Sequence, residues 1–152
     1  MSDAAEEARR LVESYLEASM IPDPVKARTF VAPDVRITFT GGRRFADPGE
    51  SSGFNAKRYA FVKKRFERTD VVAGATADEA IVYNIGTLYG EWPDGTPFEG
   101  NRYVDRFVVS GGRITRMDVW NDSAEILLAR AGLSEDGAEA VPAARPARGE
   151  AA

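Results

Sequence analysis

The stretch from residue 79 to residue 121 reads EAIVYNIGTLYGEWPDGTPFEGNRYVDRFVVSGGRITRMDVWN, and it decides the fold. Apolar and polar side chains alternate along it, a period of two that is typical of β-strands. The turn residues Pro93-Asp94-Gly95 and Gly111-Gly112 divide it into three long strands. Because connections this short join antiparallel neighbours, the stretch predicts an antiparallel meander. With a shorter alternating segment before it, the predicted strands are 71–76, 79–92, 97–110 and 113–121.

Helical patterns precede this meander. Apolar residues recur every three or four positions between Asp3 and Pro22, which predicts a first helix. Asp3 is its predicted N-cap, because Glu6 follows three positions later as in a capping box. Pro22 ends this helix. Asp23-Pro24 predicts the start of a second, short helix. The remaining predictions here are a strand at 35–40, a long loop at 43–53 and a third helix at 55–68. Helices followed by a curved meander predict an α+β fold with the helices on one face of the sheet.

The C-terminal part of the chain changes in composition. A last helix is predicted at 124–131, with Asp122 or Ser123 as its cap. The residues beyond it are rich in alanine, proline, glutamate and glycine, a composition that cannot bury enough apolar surface to fold. We therefore predict one domain over residues 1–132 and a disordered tail over residues 133–152.

The 152 residues include no histidine and no cysteine. The usual zinc ligand sets and the Ser-His and Cys-His nucleophiles are thereby excluded. No spacing of acidic residues matches a calcium-binding loop. Chemistry in any pocket must therefore rest on carboxylates, phenols, amides and water, and we expect no cofactor and no metal.

Charge and hydropathy narrow the choice of partners. A net charge of −4 argues against a nucleic-acid partner, because phosphate contacts require a basic surface. No segment approaches the ~18 consecutive apolar residues that cross a bilayer, so no membrane contact is expected. The acidic N-terminus lacks the basic start and apolar run of a signal peptide. A chain without cysteines forms no disulfides, and a cytoplasmic location is the simplest prediction.

Asp105 is the leading candidate for chemistry. Strand parity puts it on the more apolar face of its strand, between Tyr103 and Phe107. Apolar surroundings disfavour the anion and raise the pKa of a carboxyl group, as at many catalytic sites. Two interpretations stay open: a general acid or base with a tuned pKa, or a structural ion pair or cap without chemistry.

Tyr15 lies on the apolar face of the first predicted helix. A buried phenol needs a hydrogen-bond partner, and either a ligand or a backbone carbonyl would supply one. Residues on the strand faces add ligand-binding candidates, which are Phe39, Asn84, Tyr103, Met117, Val119 and Asn121.

Two surface features have competing interpretations. Arg43-Arg44, in the predicted loop, would hold a carboxylate or phosphate at a pocket mouth, or would only add solubility. The basic run between Lys57 and Arg65 is interpreted as a solvated helix face. Trp120 beside Arg116 indicates a sheet surface covered by a second subunit or by the C-terminal helix, and we expect a homodimer through the sheet.

Four segments carry a resemblance to a known family: Val12-Glu13-Ser14-Tyr15-Leu16, residues 30–35 (FVAPDV), residues 103–107 (YVDRF) and the glycine-led residues 112–122 (GRITRMDVWND). In this order and spacing they resemble the SnoaL-like branch of the NTF2-like superfamily, over about residues 5–131. The resemblance implies a cone formed by a curved antiparallel sheet, with the N-terminal helices on its concave face. Relatives include ketosteroid isomerases, epoxide hydrolases, polyketide cyclases and proteins that only bind or dimerise.

The resemblance also implies roles for individual residues. Tyr15 and Asp105 match the tyrosine and the protonated aspartic acid that form the oxyanion hole of ketosteroid isomerase. The general base of that enzyme does not carry over, because Phe39 stands at its position. The Asp-Arg-Asp set of epoxide hydrolases is missing too, since Ile85, Thr87 and Val119 stand there.

The leading hypothesis is a SnoaL-like pocket protein that acts on, or binds, a small and partly apolar organic molecule. As an enzyme it would use Asp105 as general acid or base and Tyr15 to polarise an oxygen. The reaction would be an isomerisation, cyclisation, dehydration or hydrolysis without a cofactor. The alternative is a non-catalytic ligand-binding or dimerisation module. The missing base favours this alternative, whereas the long predicted loop favours an enzyme.

Overall fold

A computed structural model describes residues 2–134. Its helices are α1 (Asp3–Met20), α2 (Pro24–Arg28), α3 (Pro48–Arg58) and α4 (Ser123–Arg130). Its strands are β1 (Val31–Phe39), β2 (Arg43–Phe45), β3 (Phe61–Ala73), β4 (Glu79–Glu91), β5 (Pro97–Ser110) and β6 (Arg113–Asn121). Most of the predicted tail, from residue 135 onward, lies outside the described residues.

The six strands form one curved sheet in the order β2-β1-β6-β5-β4-β3. The predicted meander is confirmed, because β3 to β6 pair antiparallel with their sequence neighbours. The sheet is not antiparallel throughout, however: β1 runs parallel to β6, with Ile37 opposite Met117. A parallel pair requires a long crossover, and here the chain between β1 and β6 contains α3 and four other strands. The α+β class is confirmed.

Helix α1 packs on the inner face of the sheet and closes the core. Its buried residues Val12, Tyr15 and Leu16 share one hydrophobic cluster with Val82 and Phe107 of the central strands. The helix begins one residue earlier than predicted, because the hydroxyl of Ser2 accepts a hydrogen bond from the amide of Ala5 at 3.2 Å. Burial of this apolar helix face stabilises the helix more than its intrinsic propensity does.

Two predictions for the middle of the chain are wrong. The expected loop at 43–53 contains strand β2 and most of α3. Its turn-like residues include a helix start: Asp47 caps α3 by accepting from the amide of Gly49, and Pro48 is the first helical residue. The expected helix at 55–68 ends at Arg58, and the chain from Phe61 onward is β3, paired along its length with β4.

None of the helices within residues 2–134 combines the length and the apolar character needed to span a membrane.

Candidate functional site

A cavity of about 210 Å³ lies between helices α1 to α3 and the inner face of the sheet. Much of its wall is apolar, and the polar side chains on it include Tyr15, Asp105, Lys64, Arg58 and Asn121. The two residues proposed for chemistry from the sequence, Tyr15 and Asp105, therefore border the same cavity. They reach it from opposite layers, one from α1 and the other from β5.

Asp105 is wholly buried on the inner face of β5, as strand parity predicts. Its Oδ2 accepts a hydrogen bond from the Nζ of Lys64 at 2.7 Å. Its Oδ1 has no hydrogen-bond partner among residues 2–134. Burial raises the pKa of the Asp105 carboxyl, and the neighbouring Lys64 ammonium opposes that rise. The site thus holds a buried carboxylate that has one oxygen bound to Lys64 and the other oxygen without a partner among the described residues.

Lys64 borders the cavity and is not among the site residues predicted from the sequence. It was predicted on the outward face of a helix, but it lies on β3 and points inward between Val62 and Phe66. Its Nζ lies 3.7 Å from the centroid of the Tyr103 ring, on the side where the ring attracts cations. If the segment 61–66 is treated as a strand, Val62, Lys64 and Phe66 fall on one face. This alternation would have predicted that Lys64 points inward.

Tyr15 is almost completely buried, and its ring meets Phe107 edge-on at 6.0 Å between centroids. Burial raises the pKa of Tyr15 to about 12, with Ser19 opposing that rise and the Asp105 carboxylate adding to it. The phenol therefore stays protonated at neutral pH and is able to donate a hydrogen bond to an oxygen atom in the cavity.

Tyr103 and Asn84, two of the predicted ligand-binding residues, are not among the residues that line the cavity. Both are bound in a network behind it: the Tyr103 hydroxyl donates to Oδ1 of Asn84 at 2.6 Å, and Nδ2 of Asn84 donates to the hydroxyl of Thr69 at 3.0 Å. Thr69 in turn donates to Glu13 of α1 at 2.9 Å. Burial raises the pKa of Tyr103. The network fixes the ring on which the Lys64 ammonium rests.

The cavity is bordered by four of the predicted ligand-binding residues, which are Phe39, Met117, Val119 and Asn121. Phe39 packs edge-on against Phe45 and Phe54, at 5.2 and 5.8 Å between ring centroids. It forms apolar wall and carries no group that accepts a proton. Asn121 accepts a hydrogen bond from the amide of Ser123 at 3.0 Å, so it also stabilises the first turn of α4.

Arg43 and Arg44 are exposed on β2 and do not border the cavity, so the predicted pocket mouth is not formed by them. Arg43 donates to the carbonyl of Thr40 at 2.9 Å. The arginine that does border the cavity is Arg58, at the end of α3. Sequence interpretation missed its role because it assigned this segment to a longer helix with a solvated basic face.

No protein-family model matches the sequence, and no curated protein matches it. Solved structures do match. An NTF2-like protein of unknown function from Burkholderia pseudomallei superposes with a TM-score of 0.63 at 19% identity, over 84% of this chain and 96% of that chain. The chain has the NTF2-like fold. The resemblance read from the sequence is thus confirmed at the level of the fold.

Two further structures show how varied proteins with the NTF2-like fold are. One, from Jannaschia sp. CCS1, is provisionally assigned as a SnoaL-like polyketide cyclase; it has a TM-score of 0.64 at 16% identity, over 84% of this chain and 94% of that chain. The other is the CaMKII hub of S. rosetta, with a TM-score of 0.64 at 19% identity, over 80% of this chain and 98% of that chain. Because identity is this low, the likeness shows the NTF2-like fold alone.

Proposed function

We propose that this protein binds a small, partly apolar organic molecule that carries a hydroxyl or carbonyl group, and that Asp105 acts on it as a general base without a cofactor. The observation that carries the proposal is a wholly buried carboxylate on a cavity wall whose Oδ1 has no partner in the described part of the chain. A buried acceptor without a partner is costly, so a ligand that donates to it gains binding energy.

Lys64 and the surrounding burial suit Asp105 to accept a proton. Lys64 engages Oδ2 and orients the group, while Oδ1 has no hydrogen-bond partner within residues 2–134. A raised pKa makes the carboxylate a stronger base. In the proposed step, Oδ1 takes the proton of a ligand O–H or an acidic C–H, and the electron pair left behind moves toward an oxygen that Tyr15 stabilises by donating its O–H. Isomerisation, cyclisation, dehydration and hydrolysis all include such a step.

The cavity also limits the size of the ligand. Its volume of about 210 Å³ is below the ~300 Å³ at which drug-sized pockets begin. We therefore expect a molecule with a single ring or a short branched skeleton. The apolar wall formed by Phe39, Phe54 and Met117 suits a ring at the centre of the cavity.

A screen of small ketones, lactones and hydroxy acids, followed by thermal shift and then by turnover assays, tests this proposal. Asp105→Asn should abolish turnover of any substrate that is found, because the amide has no basic oxygen. Asp118→Asn is the matched control: Asp118 is also buried, but it lies on the outer face of the sheet, paired with Arg116 at 2.9 Å. Full turnover by the Asp105→Asn variant would remove Asp105 from its role.

The alternative is ligand binding without catalysis. It is favoured by Phe39, which stands where ketosteroid isomerase carries its base, and by the ion pair that occupies one oxygen of Asp105. Binding of a panel member with no conversion over prolonged incubation supports this alternative. The cytoplasmic location and the extent of the folded domain remain predictions from the sequence.

We also propose that the outer face of the sheet is where a second copy of the chain binds. Trp120 is 54% exposed there, beside charged Arg102, Arg106 and Arg116. A mixed aromatic and arginine surface is typical of protein interfaces. The likeness to the CaMKII hub adds a precedent for the NTF2-like fold in a hub. Sedimentation at several protein concentrations distinguishes a dimer from a monomer.

A further inference from the structure

Arg58 is a cation on the cavity wall that forms no ion pair with any carboxylate of residues 2–134. Its guanidinium lies 4.8 Å from the centroid of the Phe54 ring, and its NH1 makes one long hydrogen bond, 3.4 Å, to the hydroxyl of Thr40. None of the ion pairs within residues 2–134 includes Arg58, whereas Lys64, the other partly buried cation on this wall, is paired with Asp105. A guanidinium has five N–H donors, so most of its binding capacity is free.

The other charges near the cavity do not compensate Arg58. Asp23 borders the cavity, but its carboxylate caps α2 by accepting from the amide of Lys26 at 3.0 Å. Lys63 adds a second positive charge at the rim and is exposed. The stacking on Phe54 and the bond to Thr40 hold the guanidinium in place, so less side-chain freedom is lost when an anion binds.

The two ends of the cavity differ in polarity. Asp105 is wholly buried and stands at the inner end. Arg58 and Phe54 border both the cavity and a shallow groove on the outer surface, so they stand at the outer end. Phe39, Met117 and Val119 form apolar wall. A fitting ligand therefore has a hydrogen-bond donor at one end, an apolar ring, and an anion at the other end.

We propose that the cavity selects a single-ring carboxylate, such as a hydroxylated aromatic or alicyclic acid, with its carboxylate held by Arg58. This inference rests on the proposed function, and it narrows the substrate class of that same site. The planar guanidinium matches the two oxygens of a carboxylate and binds them with paired, charge-assisted hydrogen bonds. The hydroxyl at the opposite end of the ring then reaches Oδ1 of Asp105.

Calorimetry with matched acid and amide probes tests the inference. The first pair is 4-hydroxybenzoate and 4-hydroxybenzamide, which differ in charge and hardly in shape, and further pairs vary the ring. Wild type should bind the acid about tenfold or more tightly than the amide, the factor that one charge-assisted hydrogen bond supplies. Arg58→Gln should erase this preference, and Arg58→Lys should keep part of it. Lys57→Gln is the control, because Lys57 precedes Arg58 in α3 but does not border the cavity.

The outcomes separate this inference from the proposed function. Equal affinity of wild type for acid and amide, or a preference that survives in Arg58→Gln, overturns the role of Arg58. The proposed function stands in that case if Asp105→Asn weakens binding of the amide probe. If no pair binds wild type at millimolar concentration, both the inference and the proposed function fail. Thermal unfolding of each variant beforehand shows that it is folded.

Discussion

Asp105 and Lys64 form an ion pair whose members differ in exposure: the Asp105 side chain is completely buried, and the Lys64 side chain keeps 15% exposure. Loss of either partner leaves a charge without its counterion, but the two losses are not equivalent. The Lys64 ammonium keeps some contact with solvent when it is left alone, whereas the Asp105 carboxylate has no exposed surface and loses more solvation.

We expect Lys64→Met to lower the free energy of unfolding by about 3–5 kcal/mol at neutral pH, the usual cost of breaking a buried pair from one side. Asp105→Asn should cost less, because the amide is neutral and has the same shape. The double variant should be more stable than Lys64→Met alone. Urea unfolding of the three variants measures these differences, and purely additive effects would contradict the coupling.

The stability of the Lys64→Met variant should depend on pH, because the pKa of Asp105 is raised in the folded protein. Burial raises the pKa of Asp105, and the ammonium that opposes the rise is gone in this variant. A raised folded-state pKa stabilises the folded protein fully below the unfolded value of about 3.9, and this stabilisation is lost as pH rises through the folded value. Lys64→Met should have a lower free energy of unfolding than the double variant at neutral pH. This deficit should shrink as the pH falls toward 4, because Asp105 becomes protonated. A deficit independent of pH would show that Asp105 is not the titrating group.

At the scale of residues, sequence reasoning found the acid and missed its partner. The burial of Asp105 follows from alternation within one strand, which is a local signal. The position of Lys64 depends on the pairing of β3 with β4, which the composition of the segment does not reveal. Lysine is rarely buried without a partner, and so Lys64 would not be placed inward from its own segment alone. The pair with Asp105 is recognised only when both β3 and β5 have been placed in the sheet.

At the scale of elements, β3 forms a strand although the helix propensity of its residues favours a helix. Residues 55–68 contain lysine, arginine and alanine, which favour helices in isolation. The chain leaves the helix at Tyr59, whose side chain is buried and donates to the hydroxyl of Ser123 at 2.7 Å. From Phe61 the backbone pairs with β4 instead. The antiparallel ladder and the burial of alternate residues outweigh a propensity difference of a few tenths of a kcal/mol per residue.

Strand β4 has glycine at positions where a side chain would collide with the backbone of β3. A Cβ atom added at Gly86 would lie 2.0 Å from the carbonyl oxygen of Arg65 and 3.1 Å from the Tyr103 hydroxyl. We expect Gly86→Ala to destabilise the protein by about 1–3 kcal/mol, because the backbone of β3 must move. Gly53→Ala in α3 is the control: its new Cβ meets no atom within 4 Å, and it should stabilise the helix by up to about 1 kcal/mol. Chemical denaturation measures both, and equal effects would contradict the crowding at Gly86.

At the scale of the whole molecule, Trp120 tests the proposed interface. Trp120→Glu puts a charge on the outer face of the sheet and should shift the protein from dimer to monomer in sedimentation experiments. Val25→Glu is the control, because Val25 is 70% exposed on α2, away from that face. A wild-type protein that is monomeric at all concentrations tested, or a Trp120→Glu variant that still dimerises, would remove the outer face from this role.

The overall architecture was predictable in part. The meander follows from short turns and period-two alternation, so its strands could be placed to within a few residues. The cavity combines residues from all of the helices α1 to α3 and from strands β1, β3, β4, β5 and β6, which are distant in sequence. Periodicity within single elements identified Tyr15 and Asp105 as candidates, and the family resemblance placed them in one pocket. The parallel pairing of β1 with β6 has no local signal, since it depends on the path of the intervening chain.

The order of the strands leaves β3 and β2 at the two edges of the sheet. Exposed strand edges readily recruit further strands, and this is how soluble proteins begin to grow into fibrils. Here both edges carry exposed positive side chains: Lys63 and Arg65 on β3, and Arg43 and Arg44 on β2. Charged side chains are costly to bury against a second strand edge, so Arg43 and Arg44, which do not touch the cavity, disfavour such pairing at the β2 edge.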